Sequence, residues 1–364
     1  MDIGHLQQHV FAYIALFIGV GMLVLWEVKF SLIMLLITFI SNIVFYIIYS
    51  PLTVDEFLIN GGMLTVTVAI FSVFLIRMRY RLTYKEIKSR LELANSKEII
   101  EQKHVEVLHQ KQEITDSINY AKNIQHAILP DKKDMLKVFP DSFLLFKAKD
   151  IVSGDFFWFT QKEDQFLFAA ADCTGHGVPG ALMSMIGNSF LNEITNEKNI
   201  LSPGEMLSSL RKLIVQTFKK SSGKNERKDG MDIALCSFNT KTLQLQYAGA
   251  YNPLWLFKKG EFTEITGNKF PVGSHINEVM ENFTNHEVQL EKGDCIYVFT
   301  DGFADQFGGP KGKKFKYNMF KDLLVAAKGK AMEEQKSILY NAFENWKGSL
   351  EQVDDLLIIG IRIS

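Results

Sequence analysis

Residues 153–177 read SGDFFWFTQKEDQFLFAAADCTGHG, and two short apolar runs inside this stretch decide the fold. Phe156 to Gln161 and Phe166 to Asp172 are rich in strand-forming residues, and the polar Lys162 to Gln165 between them suits a four-residue hairpin loop. Pairing Gln161 with Phe166 sets a register in which Asp155 faces Asp172. Like charges directly opposite on neighbouring strands repel, and the flanking Ser153, Gly154, Cys173 and Thr174 supply no cation. A bound divalent metal resolves that repulsion. A pair of solvated edge aspartates is the alternative.

The C-terminal third repeats the arrangement. Cys295 to Thr300 is an apolar, β-branched run ending in Asp301-Gly302, and Leu356 to Ile363 is another, preceded by Asp354-Asp355. Antiparallel pairing of these strands gathers a second carboxylate cluster at one rim of a sheet. Hard cations such as Mg²⁺ and Mn²⁺ take oxygen ligands of this kind. Helices are expected from Gly180 to about Glu197, from Pro203 to Lys219 and near Met332 to Trp346, with a hairpin through Asp232 to Phe238 and Leu243 to Tyr247. Ser221 to Gly230 and the basic run Lys311, Lys313, Lys314 and Lys316 read as mobile segments.

Upstream, residues 79–130 form a helical, coiled-coil-like linker. From Arg79 to Leu129 there is no Gly or Pro, and Pro130 ends the helix. Ile87, Leu91, Ala94, Glu98, Glu101, Val105 and Leu108 follow one heptad seam, and Ile114, Ile118, Ala121, Gln125 and Ile128 a second. Leu108 to Ile114 is six residues, one short of a heptad, so the seams are out of phase. A homodimer through residues 79–129 is expected, with a solvated single helix as the alternative.

Residues 1–78 read as a membrane domain with three transmembrane helices. Apolar runs cover Val10 to Trp26 (17 residues), Phe30 to Ile48 (19) and Phe57 to Ile76 (20), near the roughly 20 residues a bilayer-spanning helix needs. No Lys or Arg precedes the first run, which therefore lacks the basic region of a signal peptide. The third is followed by Arg77, Arg79, Arg81, Lys85, Lys88 and Arg90, whereas the Ser50 to Glu56 turn has two acids and no base. By the positive-inside rule the C-terminal part is cytoplasmic and that turn external. An external loop this short leaves no room for an extracellular ligand-binding domain.

Lys29 is the one basic residue in positions 1–76, against four acidic ones, which leaves 39 basic and 37 acidic residues for 77–364. No strongly basic domain remains for nucleic acid. Cys173, Cys236 and Cys295 are odd in number and far apart, which argues against a disulfide framework and a structural zinc site.

Together, Ser153-Gly154-Asp155, Ala171-Asp172-Cys173-Thr174-Gly175-His176-Gly177, Phe299-Thr300-Asp301-Gly302 and Val353-Asp354-Asp355-Leu356 resemble the signature of metal-dependent Ser/Thr protein phosphatases of the PPM class, specifically the SpoIIE-like branch. The resemblance covers about Phe143 to Ser364. It implies an α+β fold, an αββα sandwich over 143–364, with two Mn²⁺ or Mg²⁺ ions at one end of the sheets. Carried over by position, Asp172 bridges both metals, Asp155 and the Cys173 backbone carbonyl serve one, and Asp301 and Asp354 the other, with Asp355 a weaker candidate ligand. It further implies hydrolysis of phosphate monoesters by a metal-activated water, a phosphorylated protein substrate such as an anti-sigma factor antagonist-like regulator, and a bacterial inner-membrane location with a cytoplasmic catalytic domain.

His176 is the nearest titratable candidate for protonating the leaving oxygen, and Lys149 a candidate phosphate contact. Two departures stand out: Ser153 where the family has Gly, and Tyr251 in Gly249-Ala250-Tyr251-Asn252-Pro253 where it has His. Competing readings are a catalytically inactive membrane scaffold that binds a phosphoprotein or regulatory partner, and a sensor histidine kinase. Residues 308–314 resemble a P-loop, but the glycine spacing is one short and Ser or Thr is absent.

Overall fold

A computed structural model describes residues 27–49, 53–219, 230–273 and 281–364, with the single positions 12, 15 and 19. Most of the first apolar run, residues 50–52 of the Ser50 to Glu56 turn and residues 220–229 lie outside the described residues. The chain divides into two compact units, Met1–Gln110 and Lys111–Ser364.

In the first unit, the helix Val28–Tyr49 is apolar all round and leaves Leu36, Phe39 and Ile47 exposed, so it lacks the polar face of a soluble surface helix. Thr53 and Glu56 form a reciprocal capping box on the short helix Val54–Phe57. A π-helical turn, Leu58–Gly62, leads into the helix Met63–Ile128. Two described helices, Val28–Ile48 and the one starting at Met63, are long and apolar enough to cross a membrane.

One 66-residue helix runs from the third apolar run into the 79–130 segment. Glycine and proline are missing from Met63 to Leu129, so nothing interrupts the backbone hydrogen bonds. The helix also does not stay apart from the catalytic part, because its last residues, from Lys111, belong to the second unit.

That second unit is an αββα sandwich. One sheet has the order β1-β13-β10-β6-β7, formed by β1 (Ser142–Lys147), β13 (Leu356–Arg362), β10 (Cys295–Phe299), β6 (Leu254–Lys258) and β7 (Glu261–Ile265). The other runs β2-β3-β4-β5-β9, from β2 (Phe156–Lys162), β3 (Gln165–Cys173), β4 (Gly230–Asn239), β5 (Gln244–Ala250) and β9 (His286–Gln289), with β8 (Val272–Gly273) against β4. Strand alternation divides the core into layers. Phe157, Phe159, Phe166, Phe168, Ile296 and Ile359 share the cluster between the sheets. Phe156, Trp158, Leu167 and Leu235 point the other way, onto the helices Gly177–Asn196 and Pro203–Lys219. Phe143, Tyr297 and Ile358 face the helices Tyr317–Ala327 and Met332–Lys347.

The β2–β3 register pairs Gln161 with Phe166 and Phe156 with Ala171, as the sequence predicts. Its loop is shorter than expected. Lys162 pairs with Gln165, leaving only Glu163 and Asp164, with Glu163 at φ 52°. The basic segment after Asp301 is likewise not a free flap. It forms a hairpin between β11 (Phe307–Gly308) and β12 (Lys313–Lys314), and Lys314 pairs with Asp305 at 2.6 Å. Trp346 pins it, its Nε1 donating to the Gln306 and Lys313 carbonyls while its own carbonyl accepts from Gly309 N–H. An aromatic ring between the strands replaces the solvent that the lysine count suggested.

Candidate active site

Five aspartates converge where the two sheets end. Asp155 immediately precedes β2, Asp172 is the penultimate residue of β3, and the β3–β4 register places Asp232 directly opposite Asp172. From the other sheet, Asp301 follows Phe299 at the end of β10, and Asp354 precedes β13, antiparallel to it. A cavity of about 320 Å³ is lined by Asp172, Cys173, Thr174, Gly175, His176, Asp232 and Asp354.

The electrostatics follow from burial and mutual repulsion. Asp172 is pushed up to about 8 by burial and by Asp301, Asp354 and Asp232. Burial and Asp301 raise Asp232 to about 6, and burial with Asp354 and Asp305 raises Asp301 to about 6. Asp155 is held well above the carboxylate range by burial first and Asp172 second, against a 2.6 Å hydrogen bond donated by Thr300 Oγ1. Burial also raises Asp354, with Lys149 and His176 opposing.

No three His, Cys, Asp or Glu side chains among the described residues close around one point as a preformed metal site. The donor chemistry nonetheless fits a hard divalent cation. All five groups offer carboxylate oxygens, and burial with mutual repulsion raises all five, more than the hydrogen bond from Asp155 to Asp172 and the nearby Lys149, His176 and Lys314 lower them.

Asp355 does something else. Its Oδ1 accepts from Lys149 N–H at 2.7 Å, and its Oδ2 from Gly154 N–H at 2.7 Å and Asp155 N–H at 3.3 Å. Buried and holding three backbone donors, it shapes the 149–155 loop. Lys149 supplies one of those donors from its backbone.

Gln125, expected as a seam position, docks instead inside its own unit. The amide accepts from Ser153 N–H at 3.2 Å and donates to the Ser153 carbonyl at 2.6 Å and to Ser184 Oγ at 2.8 Å. The end of the long helix is thereby tied two residues before Asp155. Position 180 admits only glycine, because a Cβ there would lie 2.2 Å from the Gly175 carbonyl oxygen and 2.9 Å from Gly154 Cα. Helix 177–196 therefore clamps the loops carrying Asp155 and Asp172 together. The Tyr251 turn is built structurally: Tyr251 has φ 57°, its N–H bonds the Asn268 carbonyl, and Tyr247 donates to the Asn252 carbonyl at 2.6 Å.

Sequence reasoning missed Asp232 as a site residue. Its place one strand from Asp172 was the available signal, but the β3–β4 pairing spans more than fifty residues and its register was not fixed by a short loop.

The profile of the family described as Stage II sporulation protein E (SpoIIE) matches residues 162–364, more than half of the chain. The chain belongs to the SpoIIE family. The SiaA-PP2C domain of Pseudomonas aeruginosa is 30% identical, with a TM-score of 0.63 over 70% of this chain and 98% of that one. The PP2C phosphatase domain of SpoIIE from Bacillus subtilis, solved with a fragment of its regulatory domain, shares the fold at 16% identity and a TM-score of 0.50, over 61% of this chain and 63% of that one. No curated protein matches the sequence significantly. The second unit is thus a PP2C-type phosphatase domain.

Proposed function

We propose that this chain is a membrane-anchored, metal-dependent protein serine/threonine phosphatase of bacterial signalling. The observation that carries the reading is the convergence of Asp155, Asp172, Asp232, Asp301 and Asp354 at the sheet ends, where Asp172, Asp232 and Asp354 line one cavity. Asp155, Asp172 and the Cys173 carbonyl would hold one Mn²⁺ or Mg²⁺ ion, and Asp172, Asp301 and Asp354 a second, with Asp232 beside them. Bound there, such ions neutralise phosphate charge and acidify water. The protein's own residues do the rest. Thr300 holds Asp155 in place, Asp355 and Gln125 fix its loop, and the N-terminus of helix 177–196 offers free N–H groups to an anion.

The test is turnover of a phosphoserine peptide by the full chain in detergent. Hydrolysis with Mn²⁺ or Mg²⁺ and none in excess chelator is the expected result. Equal rates in both exclude metal dependence, and no turnover with any divalent ion favours the inactive scaffold.

The membrane reading places Arg77 to Arg90 in the cytoplasm and the Ser50 to Glu56 turn outside. An Asp55→Cys variant should be labelled by an impermeant thiol reagent in intact cells. Labelling only after permeabilisation reverses the orientation.

The long helix supports a homodimer. Ile87, Leu91, Val105, Leu108 and Ile114 are all exposed in the single chain, as an unpaired seam would be. The two seams are out of phase by one residue, and Gln125 of the second is docked on Ser153, so a uniform supercoil continued from the first seam competes with that docking. Inserting one residue between Leu108 and Ile114 should bring the seams into phase and hold activity at one level. An insertion variant with the parent's oligomeric state and rate would make the helix a passive tether.

A further inference from the structure

Asp150 and His176 belong to different loops, yet Asp150 Oδ2 lies 3.1 Å from His176 Nδ1. Both backbones are fixed independently of that contact. Asp150 follows Lys149, whose N–H is held by Asp355, and precedes Ser153, which is held by Gln125. His176 sits between Gly175 and Gly177, at φ 90° and 64°, and takes the N-cap position of helix 177–196 without a side-chain capping bond. The clamp at Gly180 sets the two loops side by side. Both side chains are exposed at the cavity mouth, so what holds the pair together is the fixed backbone of the two loops rather than burial of the contact.

A carboxylate only accepts, so the shared hydrogen lies on Nδ1 and the other ring nitrogen, Nε2, remains for chemistry. His176 lines the cavity with Asp172, Asp232 and Asp354, and Lys149 and His176 both act electrostatically on Asp354. We propose that Asp150 is the positioning residue for leaving-group protonation: through Nδ1 it orients His176 so that Nε2–H reaches the departing seryl or threonyl oxygen.

The inference rests on the phosphatase reading and deepens it. As the P–O bond to the side chain breaks, its electron pair stays on the seryl oxygen, which takes the Nε2 proton. The oxygen of a water forms the new P–O bond, and one of that water's protons restores the ring. An alkoxide is a poor leaving group and needs this proton, whereas a nitrophenolate leaves without it. General acids of this kind are worth about 10²–10⁴-fold.

The experiment compares a phosphoserine peptide with p-nitrophenyl phosphate, using the full chain in detergent with Mn²⁺. In Asp150→Asn the ratio of peptide to aryl-phosphate kcat should fall about 10–100-fold, with peptide KM unchanged. His176→Gln should lower the ratio at least as far, and adding Asp150→Asn to it should lower it no further, because the aspartate acts only through the imidazole. Asp150→Glu should restore part of the ratio. Equal losses on both substrates would make the pair a structural contact, and additive losses would make Asp150 independent of His176; either overturns the proposal. A parent that turns over neither substrate overturns the phosphatase reading itself.

Discussion

Asp172→Asn is expected to lower phosphate-monoester turnover by about 10³-fold or more, because it removes the carboxylate shared by both proposed ion positions, and several kcal/mol of charge stabilisation go with it. Its effect on stability runs the other way. Asp172 stands at about 8 in the folded protein, and Asp232 and Asp301 at about 6, all above the ordinary 3.8. Between about pH 4 and 8 the folded, metal-free chain therefore holds more protons than the unfolded one, and its stability falls as pH rises. Removing one of the repelling charges flattens that slope. Melting of the metal-free protein at pH 5.5 and pH 8 should show a lower Tm at pH 8, less so in Asp172→Asn. Mn²⁺ should raise Tm more at pH 8 than at pH 5.5, since binding displaces protons from the cluster. A metal-free Tm that rises from pH 5.5 to 8 would contradict the uncompensated cluster, and an Asp172→Asn variant with parental turnover would remove Asp172 from the site.

Asp355→Ala should be the most destabilising single change near the site. Three backbone N–H groups, of Lys149, Gly154 and Asp155, lose a charged acceptor, and those of Gly154 and Asp155 are buried. Stranding buried donors costs about 1–3 kcal/mol each, so a loss of about 3–5 kcal/mol is expected in denaturant unfolding. Activity should fall with it, because the loop carries Asp155. Asp355→Asn, which keeps one acceptor oxygen, separates shape from ligation: it should retain part of the stability and still show the Mn²⁺-dependent Tm shift. Loss of that shift with stability intact would return Asp355 to the role of ligand.

The contrast between these neighbouring residues shows what could be read locally. Asp155 and Asp172 were legible because a hairpin with a short polar loop sets its own register, and an alternation of period two then decides which residues face one another. The pairing of β10 with β13 was legible for a related reason, since one apolar, β-branched run ends at Asp301 and the other begins after Asp354-Asp355. Asp232 and Asp355 were not, because both depend on contacts whose chain separation leaves the register open. Asp354 and Asp355 are adjacent and chemically identical, and only the direction each side chain takes from the chain before β13 sends one to the cavity and the other to three N–H groups.

By itself, the sequence determined the strand pattern, the uninterrupted helix after the apolar runs and the charge asymmetry around them, all of which follow from short-range periodicity and the absence of helix breakers. Tertiary structure decided the rest: the docking of Gln125 against Ser153, the clamp at Gly180, and the meeting of Asp150 with His176. Each of these joins segments between 26 and 59 positions apart or rests on backbones packed so closely that no Cβ fits between them. Hydrogen-bond partners across such separations are chosen by packing of the whole sandwich, and no local pattern of residue types encodes that choice.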